Sequence, residues 1–448
     1  MASHTISNQD MIAPHVPVAP GRRYSARVDG AASARVFAIP GRNADVALLG
    51  AKPAFAEMLL VGRPNMPDRA TFMGRIDRMF DSGRLTNRGP MLLEFEERVA
   101  RIAGTRHCIA TCNATVGLEL AISALGMAGD VIVPSYTFVA TVHALWRQGL
   151  RPVFCDINPK THCLDPDSVE AAITSRTTGI LAVHMWGNTC ATHALEDIAE
   201  RHGLKLLFDA AHAFGCGTKK RAVGGYGDAE VFSFHATKCV HALEGGAIVT
   251  DDSDLAGRLR LMVNFGFSDE DTVKHLGTNG KMSEASAAMG LTSLESMDAI
   301  IAHNRRNYAA YASGLQAIPG ISLMSRRMNQ QHNYHYIVTE IDAATAGLTR
   351  DELVAALRLE NVVARRYFYP GCHRMQPYTG LFPQAGRTLP VTEEIAKRVM
   401  VLPTGMQVSE AEVGRLTSRI AAIVRQAPAV RAALAQCHDP RLPPFLRQ

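Results

Sequence analysis

The stretch Glu230–Thr250, EVFSFHATKCVHALEGGAIVT, decides the fold. Apolar, strand-forming residues run in through Val231, Phe232 and Phe234, and a second run leaves through Ala247, Ile248 and Val249. Too few residues separate the runs for a crossover helix, so the pair reads as an antiparallel hairpin. Lys238 sits in the connection, beside Gly245-Gly246 and away from any obvious solvated face. Taken alone, such a lysine can snorkel to solvent. Its neighbours give it another reading.

Upstream, from about Thr105, short apolar runs (HCIATC, VIVPS, RPVFCDI, TGILAVHMW, LKLLFDAA) alternate with helix-like segments (TVGLELAISALGM, TFVATVHALWRQG, DPDSVEAAIT, THALEDIAERHG). Runs without polar alternation suit strands buried on both faces. The rhythm implies βαβ units and an α/β fold with a mostly parallel sheet. Downstream of about Asp254 helices dominate. SEASAAMGLTSLESMDAIIAHNRRNYAAYASGLQAI reads as one or two long helices, YHYIVTEI and VVARRYFYP as strands, and SEAEVGRLTSRIAAIVRQ as a final amphipathic helix. Residues 1–48, rich in Ala, Pro, Gly, Arg and Ser, read as a flexible extension. A large domain over 49–295 and a smaller α+β domain over 296–448 are expected.

The 448 residues suffice for a large core, and a formal net charge of +5 without a Lys/Arg block does not suggest nucleic acid. There is no apolar run of about 18 residues for a membrane span and no secretory h-region. Nine scattered cysteines without a CxxC pair read as reduced thiols of a cytoplasmic protein, and no metal site is expected.

In an open parallel sheet, ligands bind at the carboxyl ends of the strands. Asn113, Ala114 and Thr115 follow HCIATC; Tyr136, Thr137 and Phe138 follow VIVPS; His184 follows LAV; Asp209 and His212 follow LKLLF; Ser233, His235, Thr237 and Lys238 lie on the hairpin. Each has a plain reading: Asn113 is a natural N-cap, Phe138 a core ring, His212 a satisfied polar residue. Asp209 is harder to set aside, because a carboxylate ending an apolar run needs a cation or several donors. Together they match pyridoxal 5′-phosphate (PLP). A helix N-terminus cups the phosphate, an acid keeps the pyridine nitrogen protonated, and a desolvated lysine supplies a neutral amine for a Schiff base and, once displaced, a general base.

These residues resemble the DegT/DnrJ/StrS-type sugar aminotransferases, of the aspartate aminotransferase fold (fold type I). The resemblance runs from about Val61 to Gln426, through GRLTNRGPMLLEFEERVA, VPSYTFVATVHAL, PVFCDINPKT, AVHMWGN, FDAAHAFGC, VGGYGDAEVFSFHATK, EGGAIVT and NGKMSEASAAMGL. It implies a seven-stranded-type sheet between helices. It implies Lys238 as the residue bonded to PLP, Asp209 at the pyridine nitrogen and His212 at the ring 3-hydroxyl. Ser233 and Thr115, with the Ala114 backbone, would hold the phosphate, and Phe138 would stack on the ring. Asn279 resembles an asparagine that reaches the phosphate of a partner subunit, implying a homodimer with a shared active site. Asn113-Ala114-Thr115 departs from the commoner Ser-Gly-Thr.

NAT, VHMWG, SFHATK and RRYFYPGCHRM further resemble enzymes forming dTDP-4-amino-4,6-dideoxyglucose. L-glutamate would then load the cofactor as pyridoxamine phosphate, and a dTDP-4-keto-6-deoxy sugar would take the amine at C4, in deoxyaminosugar and antibiotic biosynthesis. By that likeness Thr86, Asn87, His184, Arg366, Tyr367, Tyr369 and His373 would lie near the nucleotide-linked ketosugar; RRYFYP is equally readable as an ordinary strand. Other readings stay open. One alternative is a C3-keto or UDP-linked ketosugar. A pyridoxamine-dependent sugar dehydratase would carry histidine where this chain has Lys238, although His235 and His241 lie close by. A non-catalytic PLP-binding regulator would share the fold, and an NAD enzyme lacks its GxGxxG.

Overall fold

The computed structural model describes residues 45–326, 330–439 and 441–442. The expected extension lies outside these residues except at its end. There Val46 is fully buried and the Ala47 N–H donates to Glu360 Oε1 at 2.7 Å, so this end belongs to the packed body.

Seven strands form the central sheet: β1 (His107–Thr111), β2 (Asp130–Pro134), β3 (Arg151–Cys155), β4 (Thr177–Val183), β5 (Lys205–Asp209), β6 (Ala229–Ser233) and β7 (Gly246–Thr250). Their order is β1-β7-β6-β5-β4-β2-β3. The β6–β5–β4–β2–β3 pairs are parallel, and β7 alone runs antiparallel, to β6 on one side and β1 on the other. The hairpin is therefore present, with Ser233 opposite Gly246.

Both sheet faces are covered, which explains the unbroken apolar runs. Val133, Leu181, Leu207, Val231 and Ile248 pack with the helices Ala114–Ala124 and Val139–Arg147, through Leu118, Ile122, Val142 and Leu145. Ile132, Ile180, Leu206, Phe208 and Phe232 pack on the other side with Phe95, Val99, Leu195 and Leu291. Adjacent residues such as Leu206 and Leu207 thus serve opposite cores, as the two-residue period of a strand requires.

The long helical segment resolves into two helices, Glu284–Glu295 and Met297–Leu315, meeting at Ser296. An antiparallel three-stranded sheet follows: β8 (Ile321–Leu323), β9 (Ile337–Ile341) and β10 (Val399–Leu402), in the order β8-β9-β10. Two expectations need correction. VVARRYFYP is not one strand: only Val362–Val363 pairs, with Leu59–Leu60, and Arg365 bridges Val401. Beyond it the backbone turns, with Tyr369 N–H donating to Arg366 O and Gly371 N–H to Phe368 O, both at 2.7 Å. Pro370 has no N–H for a ladder, and Phe368 is drawn into the core instead. The amphipathic helix Glu410–Arg425, opened by a Ser409/Glu412 capping box, is not final: Ala427–Leu434 forms another, with proline in its first turn. No described helix is long and apolar enough to cross a membrane.

Candidate active site

At the end of β1 the Asn113 side chain accepts from Val116 N–H at 2.9 Å and caps helix Ala114–Ala124. The N–H groups of Ala114 and Thr115 meet no protein acceptor among the described residues. Gly246 lets β7 pass against this helix start. A Cβ there would stand 2.5 Å from Ala114 N and from the Asn113 carbonyl carbon, where no side chain fits. Ser233, the cross-strand partner of Gly246, thereby comes to the same corner, its Oγ accepting, among the described residues, only a long 3.4 Å bond from His235 N–H. Two free amide donors, a hydroxyl and the positive end of a helix make an anion cup.

Asp209, at the end of β5, is almost wholly buried. Its Oδ2 accepts from Thr141 Oγ1 at 2.7 Å and its Oδ1 from Ala211 N–H at 3.0 Å; Thr137 Oγ1 lies 2.9 Å behind Thr141. Burial raises its pKa, opposed by these donors and by the Lys238 charge. Lys238 is partly buried in the β6–β7 connection, and loss of water around its amine pushes its pKa down to about 8, against the pull of Asp209. A neutral amine is thus present in quantity near neutrality, beside a carboxylate held in place.

An aromatic wall stands beside Lys238, whose amine lies 5.9 Å from the Tyr336 ring centre. The His212 ring lies nearly parallel to Trp186 (5.8 Å, 17°) and Phe368 (5.7 Å, 13°), and Tyr336 tilts against it at 4.5 Å. Burial and the Lys238 charge hold His212 well below the usual imidazole range, hence neutral. Its Nδ1 accepts from Trp186 N–H at 3.4 Å, which leaves Nε2 as the protonated nitrogen. Phe138 is 58 % exposed, with its ring 6.3 Å from Phe368.

Two residues expected near the substrate are engaged inside the protein. The His184 ring is fully buried, stacked on Phe208 at 4.6 Å. Its Nε2 bonds Glu230 Oε2 at 3.0 Å, and its Nδ1 accepts from Cys190 N–H at 3.1 Å. His373 is likewise buried, between Ser135 Oγ (2.6 Å) and Glu393 Oε1 (2.8 Å). Both rings have spent both nitrogens inside the protein. Thr86 and Asn87 are exposed, Asn87 with a φ of 60°. Asn279 is exposed too, bridged to Asn264. Tyr369, 41 % exposed, lies between the Arg350 and Arg366 guanidinium groups, at 5.1 and 4.7 Å from its ring centre. The Tyr367 carbonyl accepts from Tyr136 Oη at 2.7 Å.

Two further residues at the site were not singled out by the sequence. Thr141, one helical turn after Thr137, reaches Asp209, a spacing visible in TFVAT. Tyr336 places Oη 3.3 Å from Lys238 Nζ.

The donor set suits PLP: an anion cup at one end, a donor-held carboxylate, a flat ring to lie beside, and one low-pKa amine. The chain matches the model of the DegT/DnrJ/EryC1/StrS aminotransferase family over residues 67–421. It is 38% identical over 355 residues to a dTDP-4-amino-4,6-dideoxy-D-glucose transaminase of Shigella dysenteriae, covering 78% of this chain and 95% of that protein. It is 36% identical to one of Escherichia coli, over 80% and 96%. The crystal structure of DesI, solved in the presence of its TDP-sugar product, superposes with a TM-score of 0.83 at 50% identity, over 87% of this chain and 98% of that one. With a match that spans most of its length, the chain belongs to the DegT/DnrJ/EryC1/StrS aminotransferase family, whose members work with PLP.

Proposed function

We propose that this protein transfers the amino group of L-glutamate to C4 of dTDP-4-keto-6-deoxy-D-glucose, giving dTDP-4-amino-4,6-dideoxyglucose. The observation that carries the chemistry is the low-pKa Lys238 amine beside the donor-held Asp209. The likeness to two curated transaminases of that product supports the substrate.

Bound PLP supplies an electron sink for the carbanion formed when the amino acid loses its α-proton. In this reading Ala114 and Thr115 amides and Ser233 hold its phosphate, Asp209 its ring nitrogen, His212 its 3-hydroxyl and Phe138 a ring face. Thr141 and Ala211 keep Asp209 aimed and oppose the rise in its pKa that burial causes. Lys238 anchors the cofactor when the site is at rest and, once displaced by substrate, moves the proton. Thr86, Asn87, Arg366, Tyr367 and Tyr369 are assigned to the nucleotide sugar. The exposed Asn279 is assigned to a partner subunit's phosphate in a homodimer. Nine free thiols favour a reducing, cytoplasmic setting, and the product suits deoxyaminosugar biosynthesis, antibiotic sugars included.

The test is incubation of the purified protein with PLP, L-glutamate and the ketosugar, with mass detection of product. Glutamate alone should convert the bound cofactor to its amine form with a change in absorbance. The ketosugar should then gain nitrogen in place of its carbonyl oxygen. Amination only of a C3-keto or UDP-linked sugar would reassign the substrate. Loss of a hydroxyl without gain of nitrogen would make the protein a dehydratase. No spectral response to any amino donor would leave a regulator.

A further inference from the structure

We infer that Tyr336 is a catalytic residue of this site: its hydroxyl holds the Lys238 amine in position in both of that amine's protonation states. The inference rests on the reading of Lys238 given above.

Tyr336 comes just before β9 and is 8 % exposed. Its Oη lies 3.3 Å from Lys238 Nζ, and no other partner of this hydroxyl is found among the described residues. The ring is fixed on three sides, edge to face with Trp186 (5.4 Å) and His335 (4.9 Å) and tilted on His212 (4.5 Å). Behind it, Arg326 Nη2 donates to the Tyr336 carbonyl at 2.8 Å. A hydroxyl so clamped has one direction to point, and the lysine amine is there.

The groups facing the Lys238 amine divide clearly. Asp209, bonded by Thr141 and Ala211, can only accept, so it offers no proton to a neutral amine. His212 is kept neutral by burial and the lysine charge, and His335, bonded through Nε2 to Thr237 O at 2.8 Å, has its pKa pushed down to about 4. Burial pushes the Tyr336 hydroxyl far above its ordinary range, so it keeps its proton. A phenol is both donor and acceptor. It donates into the lone pair of the neutral amine, and it accepts from the ammonium once Lys238 has taken the substrate's proton. The amine therefore stays aimed while its charge changes. No proton leaves Tyr336 for good: the O–H reorients about its C–O bond as the N–H count of Lys238 changes.

The test is Tyr336→Phe, which removes one oxygen and keeps the ring, with near-UV circular dichroism to establish that the fold is retained. Tyr336→Leu serves as a second variant. Two measurements are made. The first is the rate at which cofactor-free protein captures PLP, read by absorbance; it needs no amino donor. Capture should slow about 5- to 20-fold in Tyr336→Phe, since the amine is no longer pre-aimed. The second is the single-turnover rate with L-glutamate and with α-deuterated glutamate. That rate should fall about 10- to 100-fold, with the deuterium effect rising because proton transfer now limits, while the glutamate KM stays within twofold. Capture and turnover within twofold of the unaltered protein would overturn the inference. So would slower turnover with an unchanged deuterium effect, which would mark a packing role. If the unaltered protein ignores glutamate, the amino-donor assignment falls, and the capture rates alone decide on Tyr336.

Discussion

Gly246→Ala tests whether the cofactor's anchor depends on the missing side chain of one strand residue. The added Cβ would lie 2.5 Å from Ala114 N and the Asn113 carbonyl carbon and 2.7 Å from Asn113 O. Ordinary carbon contacts begin at about 3.5 Å, so the overlap is about 1 Å. All three atoms are backbone, at the capped start of a helix whose Leu118 and Ile122 are locked in the core, so no side chain can swing aside. Overpacking of this kind costs about 1–3 kcal/mol. Relief comes by pushing the helix start outward, which moves the Ala114 and Thr115 amides away from the cup. Hydrogen bonds to a charged group are worth about 1.5–3 kcal/mol, so cofactor affinity should fall about 10- to 100-fold. Two assays separate the parts: thermal unfolding of the cofactor-free protein, and spectroscopic titration with PLP. Gly245→Ala is the control. Its Cβ would press on Met282 Cε at 2.7 Å, Ala242 Cβ at 3.0 Å and Phe234 Cβ at 3.4 Å, side-chain atoms outside the cup, so stability should drop without comparable loss of cofactor. If Gly246→Ala binds PLP within twofold of the unaltered protein, the cup has been misread.

Asp209→Asn should still capture PLP yet lose at least about 100-fold in the glutamate-driven spectral change, since a neutral amide cannot stabilise a protonated ring nitrogen; stopped-flow absorbance checks it, and an active variant contradicts the role. Thr141→Val removes the 2.7 Å donor from that carboxylate and lets burial raise its pKa further, so the same rate should fall about 10-fold. With Lys238 at a pKa of about 8, PLP capture by cofactor-free protein should climb as pH rises through 7 to 9, because the ammonium loses its proton there, and level off above; a rate that goes on climbing past pH 9 without levelling would mean the amine is not depressed.

The sheet was legible because its strands are buried on both faces: Leu206 and Leu207 serve opposite cores, and the resulting apolar runs cannot be mistaken for one-sided strands. Asn113, Asp209, Ser233 and Lys238 were legible because carboxyl ends of parallel strands gather on one edge. His184 and His373 were expected near the sugar by likeness alone; Glu230, on another strand, and Glu393, in a helix later in the chain, bond their ring nitrogens, and no local pattern reveals such partners. Tyr336 was hidden inside an apolar strand pattern, YHYIVTEI, where an aromatic is the expected residue. VVARRYFYP failed because its residues have strand propensity, while tertiary anchoring of Phe368 and the turn at Pro370 overrode it.

The parallel stacking of Trp186 against His212 and Phe368 has an optical consequence. The chain holds two tryptophans: Trp146 is 40 % exposed, and Trp186 is 1 % exposed, 5.3 Å from Phe368 and 5.8 Å from His212. One indole therefore emits from near water and the other from a dry slot at the reaction centre. Phe368 enters that slot from a segment that also touches the Tyr136 hydroxyl through Tyr367. On the proposed reading of the site, light emitted by Trp186 reports at once on bound PLP and on the packing of Phe368 against the indole, a gauge of site assembly that the protein carries without any label.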